Sequence, residues 1–217
     1  GTNHFGIGDG VVLTELDFET PLGRVGRDRA LLEGLVSRFG RPITVDQLDH
    51  LPEHSIDLQL PWIQHCIGDV PVLAALVPDP LRPMIEDGET ERVGFEDFIV
   101  GLSELLEELG GRTFFIASSD LSHVGPQFGE PRPVDEQRQA DVERHDREMM
   151  GHFLAGDPEQ FIGAMQWNNN PTRWCSVGGM TALLRLAKPE VIELIDYRQA
   201  RDDRGIAMVS SAAMAIG

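Results

Sequence analysis

Lysine is almost missing from this chain: Lys188 is the single example among 18 basic residues, which face 36 acidic ones. The resulting net charge of −18 repels phosphate backbones and anionic lipid headgroups, so neither nucleic acid nor a membrane is an expected partner. Cysteine is equally scarce. Cys66 and Cys175 make no disulfide framework and suit a reducing compartment, so a cytoplasmic location is expected. Within these 217 residues there is no apolar run long enough to span a bilayer and no signal-peptide pattern. Also missing are HExxH, a Walker A loop, GxSxG and CxxC, which sets aside the ordinary hydrolases, nucleotide-binding enzymes and zinc ribbons.

What is present reads as one domain over residues 1–217, with 41% hydrophobic residues to build a core. The clearest element is residues 94–110, where Phe95, Phe98, Ile99, Leu102, Leu105, Leu106 and Leu109 recur at helical spacing before Gly110. Residues 27–39 repeat that pattern more weakly. Asp157-Pro158, with Gln160 close behind, is a helix start, and residues 134–154 are polar, helix-prone and carry one thin apolar stripe. Four shorter apolar stretches, residues 70–78, 112–118, 191–198 and 206–216, read as buried strands. The alternation predicts an α/β fold with helices on both faces of a sheet.

In residues 55–62 two periods conflict. Ile56, Leu58, Leu60 and Trp62 alternate as in a strand, yet Pro61 is poor in a central strand and Ser55 can open a helix. We favour a short helix whose first turn presents His54.

Three segments carry possible chemistry. Asp120 and His123, in SSDLSH (118–123), are expected just beyond the carboxyl end of the 112–118 strand, where open α/β sheets form ligand crevices. The competing reading is a turn-capping acid and a loop histidine. Cys175, in WCSVGGM (174–180), falls at a helix N-terminus that favours a thiolate able to bind metal or attack an electrophile. It reads equally as a small packed cysteine. His4, in GTNH (1–4), proves nothing alone. His50 and His54 stand four apart, but Pro52 argues against one helix carrying both. His145 and His152 read as solvent-facing, and His65 and Cys66 as structural.

Taken in order, GTNH, EHSIDLQLPWI (53–63), FFIASSDLSHVG (114–125), the Cys175 segment and the terminal SSAAMAI resemble the Memo family, the AmmeMemoRadiSam system protein B of bacteria and archaea. The resemblance covers essentially the whole chain. It implies a mixed β-sheet flanked by helices, similar to the class III extradiol ring-cleavage dioxygenases. Family members have a strand leading into the first motif, so this Memo-like domain is expected to lack its N-terminal strand. The motifs further imply a metal pocket of His4, His54 and Cys175, with His123 as acid/base and Asp120 orienting it or a bound water. Iron(II) fits the fold relationship and copper fits the thiolate. The expected activity is that of a redox or oxygen-using, dioxygenase-like oxidoreductase with an unknown small molecule as substrate. The alternatives are a non-catalytic adaptor for a peptide, or an accessory subunit working with radical-SAM and AMMECR-type proteins.

Overall fold

Four helices in this chain start at acidic side-chain caps. Asp28 accepts from the Leu31 amide at 3.0 Å and opens α1 (Arg29–Phe39). Glu53 opens the short α2 (His54–Asp57), which is followed by α3 (Leu60–Cys66) with Pro61 in its first turn. Gly94 and Gly110 bound α4 (Phe95–Leu109), as the apolar period predicts. Asp135 opens α5 (Glu136–Leu154), and Asp157 opens α6 (Pro158–Trp167) by accepting from the Glu159 and Gln160 amides. The last helix is α7 (Val177–Ala187).

The computed structural model describes residues 1–4, 10–78, 81 and 92–217. The chain divides into two compact units, Gly1–Ser118 and Ser119–Gly217. In the first, α1 packs on α4. The two helices come close at Gly34, where a Cβ would stand 2.6 Å from Leu105, and at Gly101, where it would stand 2.4 Å from Phe39. Phe98, Leu102 and Leu105 bury one face of α4 there, with Leu32 and Leu35 on α1. The strands are short: β1 (Val12–Leu13) pairs with β4 (Ala75–Leu76), and β2 (Phe18–Thr20) forms a hairpin with β3 (Gly23–Val25). Of the strand expected over residues 70–78, only β4 and isolated bridges at Val72 and Val77 form.

The second unit is built on the three-stranded sheet β5-β7-β6: β5 (Asp120–Val124), β6 (Ile192–Arg201) and β7 (Met208–Ile216). Helix α5 buries Val142, Asp146, Met149, Met150 and Phe153, so the thin stripe of the sequence is its inner face. Phe153 and Phe161 meet edge to face at 5.5 Å, and Trp174 is buried against Phe161. His145 is half-buried rather than solvent-facing, because it neighbours that stripe, and its Nε2 is shielded from water. Gly163, in the middle of α6, faces open space. Beyond its own helix backbone no atom lies within 4 Å of the Cβ it would gain, so Gly163→Ala should stabilise the protein by about 1 kcal/mol, read as a raised urea midpoint.

The architecture is therefore mixed α/β, with seven α-helices and small antiparallel sheets among the described residues. Two expectations need correcting. Among the described residues every ladder is antiparallel, and parallel pairing occurs only as the isolated bridges Thr2–Val77 and Arg27–Val72. Residues 112–118, strand-like in composition, form no strand, and Phe114 is 75% exposed. Strand propensity yields a strand only where a neighbour supplies a ladder, and no described segment pairs with this one. The strand instead begins at Asp120. Asp120 and His123 thus lie within β5, not beyond the end of a preceding strand. Among the described residues no helix is long and apolar enough to cross a membrane.

Candidate metal centre

In the first unit the segment Gly1–His4 is strapped down along its length. The Val77 amide donates to the Gly1 carbonyl at 2.8 Å, and the Ser55 hydroxyl donates to the Thr2 carbonyl at 3.2 Å. Asn3 donates to Asp49 at 2.8 Å. His4 is thereby delivered to the start of α2, where His54 is the first helical residue. The two imidazoles stack with centroids 5.0 Å apart and planes 19° from parallel.

Glu53 joins them. Its side chain is buried and accepts from the His4 amide at 2.8 Å, the His54 amide at 2.8 Å and the Ser55 amide at 2.9 Å. The His4 Nδ1 lies 3.0 Å from one carboxylate oxygen and 3.1 Å from the other. A carboxylate can only accept, so Nδ1 carries the proton and Nε2 is the acceptor nitrogen of the neutral ring. Burial pushes the Glu53 carboxyl up, but the bonds from the His4 and Ser55 amides and the His4 ring outweigh it and hold it down at about 2. Glu53 therefore acts as helix cap and imidazole clamp together.

His4, Glu53 and His54 each offer a ligand atom, and these atoms lie within 4.8 Å of one another. Both Glu53 oxygens are already engaged by N–H donors, which leaves the two imidazoles as the donors best placed for an ion. Imidazole pairs suit iron, copper and zinc, so the residues present fit a transition metal. His50 is elsewhere. It is buried in a turn at Gln47–His50 with its Nε2 3.0 Å from the Val12 carbonyl, as the break at Pro52 predicts.

The other motif residues belong to the second unit. His123 stands on β5 with Nδ1 3.1 Å from the Leu121 carbonyl and 3.2 Å from the Arg173 carbonyl, which makes Nδ1 the protonated nitrogen. Its Nε2 faces the Asp120 carboxylate at 3.8 Å, and its ring meets Phe128 edge to face at 5.2 Å. Main-chain carbonyls, more than Asp120, hold the ring. Cys175 lies two residues ahead of α7, between the buried Trp174 and Ser176, whose hydroxyl bonds to the Asp120 carbonyl. The Thr172 carbonyl accepts from the His123 amide at 2.7 Å. The Cys175 loop thus runs along β5. Cys66, by contrast, is exposed at the end of α3 instead of packed.

A family model described as Memo-like protein matches residues 1–215. The chain belongs to the Memo-like family. A MEMO1 family protein of Methanococcoides burtonii is 31% identical over 221 residues, spanning 100% of this chain and 73% of its own length. One from Methanocaldococcus jannaschii is 31% identical over 209 residues, covering 94% of this chain and 65% of its own. One from Pyrobaculum aerophilum is 35% identical over 127 residues, covering 58% of this chain and 41% of its own. In this Memo-like chain the sequence signals single out His4 and His54, while the clamp between them is harder to see. Glu53 shows in the sequence only as an acid next to a histidine; that it also holds His4, 49 positions away, is a tertiary fact. Asn170, which grips the Trp174 main chain with both ends of its amide at 2.8 and 2.9 Å, has no signal in the sequence.

Proposed function

We propose that this protein binds one redox-active transition metal, iron(II) or copper, through the Nε2 atoms of His4 and His54. The observation that carries the reading is the Glu53 clamp: a buried carboxylate fixes the His4 tautomer with Nε2 as the unprotonated nitrogen, beside a stacked second imidazole. Cys175 enters as the third ligand from its motif alone. Two imidazoles and a thiolate leave coordination positions open, which suits a reactive ion better than a closed structural zinc site. When bound, such an ion supplies a Lewis-acidic and one-electron redox centre. His123, with Nδ1 protonated and tied to main-chain carbonyls, has Nε2 ready to take a proton from a substrate, and Asp120 faces that nitrogen. The kinship proposed with ring-cleaving dioxygenases makes oxygen-dependent turnover of a small organic molecule the first activity to seek.

Iron and copper content after anaerobic purification tests the reading, with His54→Ala and Cys175→Ala alongside. Near-stoichiometric metal that falls at least about tenfold in each variant is the expected result. Retention in Cys175→Ala removes the thiolate from the ligand set. An intact protein that takes up neither iron(II) nor copper(I) on reconstitution sinks the redox reading.

A further inference from the structure

The second unit hides a carboxylate that none of the motifs contains. Asp146 lies on α5 in the middle of its apolar face and is fully buried. An aspartate there is costly unless every lone pair is used. Here the pairs are used. The Ser122 hydroxyl donates to one oxygen at 2.5 Å and the Trp174 indole N–H donates to the same oxygen at 2.9 Å. The other oxygen accepts from the Tyr197 hydroxyl at 2.7 Å and the Ser210 hydroxyl at 2.5 Å. The four donors come from β5, the Cys175 loop, β6 and β7. Burial, and the bond to Asp146, push the Tyr197 phenol above its ordinary range, as expected of a hydroxyl committed to donating.

The two oxygens serve different purposes. One collects the residues that immediately precede His123 and Cys175; the other collects the body of the sheet. Asp146 thus adds a side-chain anchor between the Cys175 loop and β5, beside the direct bonds of Thr172 to His123, Ser176 to Asp120 and the Trp174 indole to the Ser122 hydroxyl at 3.0 Å, and Asn170 grips Trp174 from the main-chain side. Asn169, Asn170 and Arg173 all sit at positive φ, so this loop is wound tightly and needs such anchors.

We propose that Asp146 is a positioning residue that fixes the placement of Cys175 and His123 through Trp174 and Ser122. The proposal rests on the assignment of Cys175 as a working thiolate, and its test reads that thiol directly, whether or not metal is bound. In a Cys66→Ser background, the iodoacetamide alkylation rate of Cys175 in the metal-free protein is compared among Trp174→Phe, Ser122→Ala and Tyr197→Phe. The first two remove donors on the Cys175 side and the third removes a donor on the sheet side. Losing one buried hydrogen bond shifts a local equilibrium by about fivefold, so Trp174→Phe and Ser122→Ala should raise the rate by about that factor. Tyr197→Phe should leave it within about twofold even where its melting temperature falls as far.

Rates that simply follow melting temperature across all three variants, or a rate unchanged in both Trp174→Phe and Ser122→Ala, overturn the proposal and make Asp146 purely structural. If Trp174→Phe does not fold, Ser122→Ala against Tyr197→Phe decides it. Metal content of the parent protein is measured separately. Metal that is absent there ends the metal reading alone, while the alkylation comparison still decides the role of Asp146.

Discussion

Replacing Glu53 with alanine should both unfold the first unit more easily and empty the proposed metal site. In the native structure the carboxylate receives the amides of His4, His54 and Ser55 together with the His4 ring. Alanine leaves the buried Ser55 amide and the partly buried His4 and His54 amides without that acceptor and removes the cap of α2. The expected cost is about 3 kcal/mol in the metal-free protein, seen as a lower urea midpoint. Glu53→Gln is the sharper probe of function. Its carbonyl oxygen still caps the helix, but the amide nitrogen cannot accept from the neighbouring N–H groups, and the His4 ring loses part of its hold. Metal affinity should drop by about 10- to 100-fold at a smaller loss of stability. A Glu53→Gln protein that binds metal as the parent does would show that the clamp is not what presents His4.

That clamp marks the boundary of what the sequence discloses. Where an element is decided by neighbours within a few positions, the reading holds. The α4 boundaries follow from Gly94, Gly110 and an unbroken apolar stripe; α6 follows from Asp157 and Pro158; and the strand-or-helix conflict around Ser55 resolves as a helix because Glu53 caps it. β6 and β7 are legible too, since their composition coincides with an available partner. Residues 112–118 have comparable composition and no ladder, so the strand begins only at Asp120. Pairing is a tertiary property that composition does not carry.

The site divides the same way. Residue types and motif order isolate His4, His54, Asp120, His123 and Cys175. The groups that aim them are hidden, because each acts across a long sequence separation: Glu53 on His4, the Arg173 carbonyl on His123, Asp146 on Trp174. One local clue does point to Asp146. It stands four residues after Val142 and three before Met149, so the stripe that buries those two must bury a carboxylate as well. A charged residue on an apolar helix face implies a set of buried partners, because an unpaired charge is almost never fully buried.

Gly125 shows how closely the His123 strand is locked at its far end. The residue sits at φ 108° and ψ 174°, a region essentially reserved for glycine. A Cβ there would lie 2.5 Å from the Ile206 carbonyl oxygen, and that oxygen cannot retreat freely because it accepts from the Gln127 amide at 3.0 Å. The Gly125 carbonyl in turn accepts from the Phe128 and Glu130 amides, so the whole turn after β5 depends on this conformation. Gly125→Ala should therefore cost about 3 kcal/mol or more, through backbone strain and the displaced carbonyl together. Gly26→Ala, with nothing within 4 Å of the new Cβ and an ordinary φ, is the control and should change stability by no more than about 0.5 kcal/mol. Hydrogen exchange should place the loss in the amides of β5 and β7 and leave α1 and α4 as protected as before. His123 stands two residues upstream, with its ring against Phe128 in that same turn, so moving the turn moves the ring. An unchanged urea midpoint in Gly125→Ala would mean that the Ile206 carbonyl yields at no cost, and that the orientation of His123 is set by the Leu121 and Arg173 carbonyls alone.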